Sequence, residues 1–312
     1  MNAKLIKLYA NNCGFALCGI AKPTPLYSEK ERFEKALMQN LHAKKEYLER
    51  DVEKRFNPKL LLENCKSVIV CGFNYYSGNT CKSFAHNIPI NTITQEDKLK
   101  ISRYAQIKDY HIFMKDKLEK LAADLQIQYG VFNYKTTVDS SSISEKVWAR
   151  QSGIGYYGKN GIIQTSFGSF IFLGTLLIDR EVDEYDDPNN NDCGNCCKCM
   201  SVCPTQAIIA PYSVDSNLCI SHITLNKKET DFKSIAKYGW LIGCDACQES
   251  CPNNYNTTAN TEAAALQAPY VENMYEILES LTPESFEHNF KDTTIYKFGY
   301  EGLIKRLGDF SS

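Results

Sequence analysis

CGNCCKCMSVCP (Cys193–Pro204) and CDACQESCP (Cys244–Pro252), with Cys219 between them, decide the reading of this chain. The first run is C-x2-C-x2-C-x3-C-P (Cys193, Cys196, Cys199, Cys203) and the second is C-x2-C-x3-C-P (Cys244, Cys247, Cys251). Four thiolates complete each four-iron cluster. In two-cluster ferredoxins the last cysteine of a run reaches across to the other cluster. The spacing therefore predicts one cluster on Cys193, Cys196, Cys199 and Cys251, and a second on Cys203, Cys219, Cys244 and Cys247. Zinc is the competing reading, because C-x2-C pairs also build zinc ribbons. Three cysteines at successive two-residue gaps and a proline after each run favour the cubane. Cys197 has no place in the scheme and reads as a bystander.

At 312 residues the chain is long for one domain. A unit carrying eight cluster cysteines needs only about 60–80 residues, so more than half of the protein does something else. Hydrophobic content of 43%, charged content of 23% and a net charge of -2 are ordinary for a globular protein. They give no global attraction to nucleic acid, so such a partner needs a local basic patch. Met1–Ala10 lacks a long apolar core and a twin-arginine signal, and the apolar run Phe170–Ile178 is half a membrane span broken by Gly174. With clusters that need free thiolates, the expected compartment is the reducing cytoplasm, with no membrane attachment.

Outward from the cysteines, the acidic segment Asp179–Asp192 reads as a linker, and Glu262–Phe310 as helical. Upstream, Ser28–Arg55 is an amphipathic helical stretch broken at Pro58, and Ser67–Phe73 is a buried β-branched strand followed by a polar loop, Asn74–Thr94. Asp109–Gln126 carries a helical stripe of Ile112, Phe113, Leu118, Leu121 and Leu125. Val138-Asp139-Ser140 ends an extended run, and Ser142–Gln151 is helical with Ser142 and Glu145 at capping-box spacing. Gly153-x-Gly155-x-x-Gly158-Lys159-Asn160 then feeds two strands, Ile162–Thr165 and Ser169–Ile178. The order helix, glycines, strand is the reverse of a dinucleotide-binding turn. These glycines mean close approach to neighbouring backbone or to a cofactor, with Lys159 and Asn160 as donors at the tip. Asp139, at a strand end, reads by itself as a cap or turn residue. The histidines (His42, His86, His111, His222, His288) show no metal-ligand spacing and read as ordinary residues.

Together, these pieces resemble the epoxyqueuosine reductases, cobalamin-dependent iron–sulfur enzymes of tRNA modification, over most of the chain. The matching segments are Arg55-Phe56-Asn57-Pro58, Arg103-Tyr104-Ala105 through Asp109-Tyr110-His111, Val138-Asp139-Ser140 with Glu145-Lys146, Gly153–Asn160, Cys219-Ile220-Ser221 and Gly243-Cys244-Asp245-x-Cys247-Gln248. The resemblance implies reduction of epoxyqueuosine to queuosine at the tRNA wobble position, with electrons passing from an external one-electron donor of ferredoxin or flavodoxin type through two [4Fe–4S] clusters to cobalamin. It implies Asp139 as the acid that protonates the epoxide oxygen, with burial against the corrin expected to raise its pKa. It implies Arg55, Asp139, Lys159, Asn160, Ser221 and Asp245 as cobalamin contacts. Longer members carry C-terminal helical repeats, and this chain reads as a short form. Lys227, Lys228, Lys233, Lys237, Lys297, Lys305 and Arg306 are the basic residues left to meet tRNA. The alternatives are another corrinoid iron–sulfur reductase of dehalogenase type, or a non-catalytic electron-transfer module.

The fold expected is α+β: a cobalamin-binding sheet-and-helix domain at 1–183, a ferredoxin-like two-cluster domain at 184–260 and a helical tail at 261–312.

Overall fold

The structure is a computed structural model and describes residues 1–78, 99–139, 141–225, 232–271 and 273–310. Most of the polar loop read after Asn74, together with Ser140, Lys227 and Lys228, lies outside the described residues.

A four-stranded antiparallel sheet organises the first half, in the order Leu17–Ala21, Ser67–Asn74, Ile171–Ile178, Tyr134–Thr137. Every residue of Ser67–Asn74 is buried, as its β-branched run requires of a central strand covered on both faces. Alternation divides its side chains between two cores. Ile69, Cys71 and Phe73 face the helices Ala3–Asn12 and Tyr110–Tyr129, whereas Val68 and Val70 face Trp148 and Ala149 of the helix Glu145–Gln151. Gly174, which interrupts the apolar run, is where the long helix comes closest: a Cβ there would lie 2.9 Å from Leu118.

That long helix is capped by the Asp109 carboxylate, which accepts from the His111 backbone N–H at 3.0 Å, and it stops at Gly130 in the left-handed region. Its buried stripe is Met114, Leu118, Leu121, Ala122 and Leu125, so the expected Ile112 is corrected: it is 53% exposed, and Met114 takes its place against the sheet. The stretch 28–55 is three short helices, Tyr27–Met38, Glu46–Glu49 and Val52–Phe56, because Asn40, Ala43, Lys44 and Asp51 take left-handed backbone that no helix continues. The Ser142–Glu145 capping box does not form. The helix starts at Glu145, whose carboxylate instead accepts from the Asp139 N–H at 2.7 Å.

The acidic segment is a strap and not a free linker. Asp183 accepts from the Ala3 N–H at 2.8 Å at the start of the first helix, and Asp186 accepts from Lys7 at 2.6 Å and from the Ile20 N–H at 2.8 Å. A second core joins the cysteine region to the tail. Ile101 and Ala105 pack with Trp240, Leu241, Ile242, Tyr270, Phe290 and Leu303, and Lys100–Ile101 pairs in parallel with Trp240–Ile242. Arg306 of the final helix, Gly299–Phe310, is buried there, donating to the Thr224 carbonyl at 2.8 Å and lying over the rings of Phe298 and Phe232. It is therefore removed from the residues available to meet tRNA. The fold is α+β, as expected.

Candidate active site and cysteine centre

Short elements present the cysteines. Helix Lys198–Ser201 carries Cys199, helix Ile220–Leu225 starts immediately after Cys219, and helix Ala246–Glu249 carries Cys247. Pro252 opens a 3-10 turn directly after Cys251, where its missing N–H costs nothing. The thiols influence one another in two groups. Burial pushes Cys199 up, and Cys193, Cys251 and Cys196 push it further; burial raises Cys251, with Cys193 and Cys196 adding. In the second group burial raises Cys219 with Cys203 adding, and pushes Cys244 up to about 12 with Asp245, Cys219 and Cys203 adding. Cys247 is raised by burial, then by Cys244 and Cys219. Thiols crowded in this way resist ionisation until a cation core neutralises them, so both donor sets fit iron–sulfur clusters. Amide donors also converge on the sulfurs. Ala207 N–H donates to Cys203 Sγ at 3.2 Å, and backbone groups of Ser221 and His222 serve Cys219.

The glycine hairpin is wedged against this unit. At Gly155 a Cβ would lie 2.7 Å from the Gln164 carbonyl, so the close approach is to neighbouring backbone. Lys159 and Asn160 are both buried at the tip. The Lys159 ammonium donates to the Gly194 carbonyl at 2.7 Å and reaches Cys197 Sγ at 3.7 Å, while the Asn160 side chain bonds the Cys247 thiol. Gln164, which the sequence did not single out, takes Cys251 Sγ at 3.5 Å and Asn253 at 3.3 Å on its Oε1.

A cavity of about 810 Å³ opens on the other side of the hairpin, between the short helices and the start of Glu145–Gln151. Arg55, Asp139, Glu145, Lys146, Tyr157 and Tyr212 are among its walls. Arg55 is 8% exposed, and its guanidinium donates to the Tyr47 carbonyl at 2.6 Å and lies over the Phe33 ring. Its Nε has no hydrogen-bond partner among the described residues, a buried polar atom left for something in the cavity. Of the six expected cofactor contacts, Arg55 and Asp139 line this cavity. Lys159 and Asn160 turn to the cysteine loops, the backbone of Ser221 bonds Cys219, and Asp245, 1% exposed, accepts from Ser102 and from the Arg103 N–H at 2.7 Å.

Asp139 stands in the left-handed region at φ 49°, with its side chain 62% exposed. His111 Nε2 lies 3.2 Å from its Oδ2, and the Tyr110 hydroxyl bonds the same carboxylate. The other ring nitrogen, Nδ1, lies 2.6 Å from Asp109 Oδ1. The hydrogen bond from His111 holds the Asp139 carboxyl below the usual range. Here the raised carboxyl is Glu145, pushed up to about 8 by burial and then by the charge of Asp139. His111 is raised to about 9 by its bonds to the two aspartates. Lys45 and Lys146, both lowered by burial, feel the charge of Asp139 and of Cys219 together, so the cavity abuts the second cysteine set.

His111 shows no metal-ligand spacing, and its partners are carboxylates on either side of the ring. Asp109-x-His111 was the available signal.

The chain matches the family model described as Epoxyqueuosine reductase QueG over residues 55–140 and the 4Fe-4S double cluster binding domain over 192–254. The epoxyqueuosine reductase of Cyclobacterium marinum is 35% identical over 98% of this chain and 96% of its own length. A crystal structure of epoxyqueuosine reductase with an epoxyqueuosine-modified tRNA-Tyr stem loop superposes with a TM-score of 0.81 at 26% identity, covering 98% of this chain and 80% of the other. The Bacillus subtilis enzyme, with its catalytic aspartate loop swung out of the active site, gives a TM-score of 0.82 at 25% identity over 98% and 80% of the two chains. A catabolic reductive dehalogenase gives 0.51 at 14% identity over 97% of this chain and 37% of its own, a likeness of fold alone. Two cysteine sets that fit [4Fe–4S] clusters, abutting a cavity walled by an aspartate and a buried arginine, thus stand on a chain that belongs to the epoxyqueuosine reductase family.

Proposed function

We propose that this chain reduces epoxyqueuosine in tRNA to queuosine, with Asp139 as the acid at the epoxide oxygen. The observation that carries the reading is the abutment of Asp139 and the second cysteine set, felt together by Lys45 and Lys146. Family membership supplies the substrate class. The reaction takes two electrons and two protons, releasing the epoxide oxygen as water and leaving an alkene. Asp139 and its partners handle protons on one side of the cavity. The eight cysteines, in sets Cys193/Cys196/Cys199/Cys251 and Cys203/Cys219/Cys244/Cys247, hold the electron carriers on the other. An external one-electron donor of ferredoxin or flavodoxin type in the cytoplasm would supply them. Among the described residues no helix is long and apolar enough to cross a membrane.

Cobalamin fits the cavity on two counts, the volume beside the second cysteine set and the unpartnered Arg55 Nε. When bound it supplies a strongly nucleophilic reduced metal for opening the epoxide. Arg55 would hold its polar periphery, and Tyr157 and Phe33 would wall it. Asp139 protonates the oxygen as the C–O bond opens, removing an alkoxide charge that the cavity could not otherwise carry.

The test is anaerobic reconstitution with iron, sulfide and cobalamin, followed by mass spectrometry of epoxyqueuosine-containing tRNA. Queuosine from the wild type, sharply slowed in Asp139→Asn with both clusters intact, supports the reading. A fully loaded enzyme that leaves the nucleoside unchanged under every low-potential reductant refutes it.

A further inference from the structure

His111 has a carboxylate on each ring nitrogen, Asp109 Oδ1 at Nδ1 and Asp139 Oδ2 at Nε2. A neutral imidazole has one N–H and satisfies both contacts only if one of the carboxyls carries a proton; with both carboxylates ionised, only the imidazolium donates to both. The bonds to the two aspartates raise the ring to about 9 and the bond from His111 lowers Asp139, so the proton the pair shares sits on the ring and Asp139 is an acceptor. An acid that is ionised before the reaction starts has no proton of its own to give.

We propose that His111 is the proton reservoir of the reaction, passing its Nε2 proton through Asp139 to the departing epoxide oxygen, with Asp109 holding the ring in register. The proposal rests on the reductase reading above. In the transfer the N–H bond at Nε2 breaks, Asp139 takes that proton on Oδ2 and delivers a proton to the oxygen, and an O–H bond forms. The ring ends neutral, its remaining proton kept at Nδ1 by Asp109. The second proton needed to release water comes from solvent, and both electrons come from the low-potential donor. His111 acts through Asp139 and is thus a positioning residue. Its placement is built in from both sides: Asp109 is also the helix cap, and the ring stacks on Tyr110, 4.1 Å between centroids, which stacks on Phe172 of the sheet at 4.2 Å.

The charged and titratable groups around the pair are Asp109, Tyr110, Glu145, Lys146, Lys45 and Tyr47, with Lys297 acting on Asp109. Burial lowers Lys45 and Lys146 and raises Glu145, while the bonds to Asp109 and Asp139 hold the ring's proton to about pH 9.

Two measurements decide the proposal. Single-turnover rates of the reconstituted enzyme on epoxyqueuosine-containing tRNA are taken from pH 5.5 to 9.5 for wild type, His111→Gln and Asp109→Asn. The His111 ring is titrated by NMR in the protein without added cobalamin, its signal assigned by its loss in His111→Gln. We expect a wild-type rate that is level until the ring loses its proton near pH 9. In His111→Gln the rate should fall about tenfold per pH unit across the same range, as Asp139 alone must bind the proton. Asp109→Asn should lower both the ring pKa and the alkaline limb together. A His111→Gln enzyme that is uniformly slower with the wild-type pH profile, or unchanged, overturns the proposal. So does a ring that titrates near the ordinary 6.5 in the wild type. Failure of the wild type to make queuosine at any pH counts against the reductase reading instead, and the titration still decides the state of His111.

Discussion

The cysteine centre and the Asp139 pocket solve one problem in two ways. Each crowds groups that become anions: eight thiols in one, and Asp109, Asp139 and Glu145 in the other. Among the thiols burial raises every shifted group and neighbouring sulfurs add to it, against the weaker pull of Lys45 on Cys219, so iron must neutralise them. In the pocket an imidazolium sits between two carboxylates, so Asp139 is lowered while Glu145 rises, because burial and the charge of Asp139 outweigh the pull of His111 and Lys146. An external cation makes a store of electrons, and an internal one makes a store of protons.

The largest effect expected tests the thiol side. Cys203→Ser should halve bound iron, from about eight to about four per chain, and abolish conversion, leaving the spectrum of the first cluster. Cys251→Ser should instead spare the second cluster. If each substitution removed the cluster of its own sequence run, the crosswise pairing would be wrong. Next, Asp139→Asn should keep both clusters and slow conversion by about 10²–10⁴-fold at neutral pH, measured by single-turnover mass spectrometry.

Glu145→Gln sharpens the contrast through stability. Glu145 has its pKa raised from 4.5 to about 8, so the folded state holds this proton more tightly than the unfolded chain. Its contribution is fully present below pH 4.5 and is lost as pH rises through 8. Glu145→Gln should therefore gain in relative melting temperature between pH 5 and pH 8.5; a constant offset across that range would show that Glu145 titrates normally. The smallest effect should come from Arg306→Lys, which loses the stacking on Phe298 and costs about 1–3 kcal/mol in denaturant unfolding, with the pH profile of conversion unchanged.

The two regions were unequally legible. Cluster ligands come at short fixed spacings because a compact inorganic core must be wrapped locally, so Cys193–Cys203 and Cys244–Cys251 declared themselves. The central strand and the long helix were equally plain, their burial patterns being written in Val68-Ile69-Val70 and in Leu118, Leu121 and Leu125. The pocket was not plain. Arg55, His111, Asp139 and Glu145 come from separate segments joined only by the sheet, and each looks like an ordinary cap, turn or surface residue. The family resemblance pointed to Asp139, but nothing local said that its proton sits on a histidine 28 positions earlier. The strap was missed for a related reason: an acidic, proline-containing segment has the composition of a linker until its partners, Ala3, Lys7 and Ile20, are known.

That strap has a mechanical consequence. Because Asp183 and Asp186 pin it to the first helix and the edge strand just before Cys193, the leading cysteine loop cannot swing on a tether as carrier domains do. The Lys159 clasp on Gly194 fixes the same loop from the other side. Electrons must then cross a frozen gap, and their pace is set by distance and driving force instead of by the diffusion of an arm. Lengthening the strap with flexible residues would turn a wire into a pendulum.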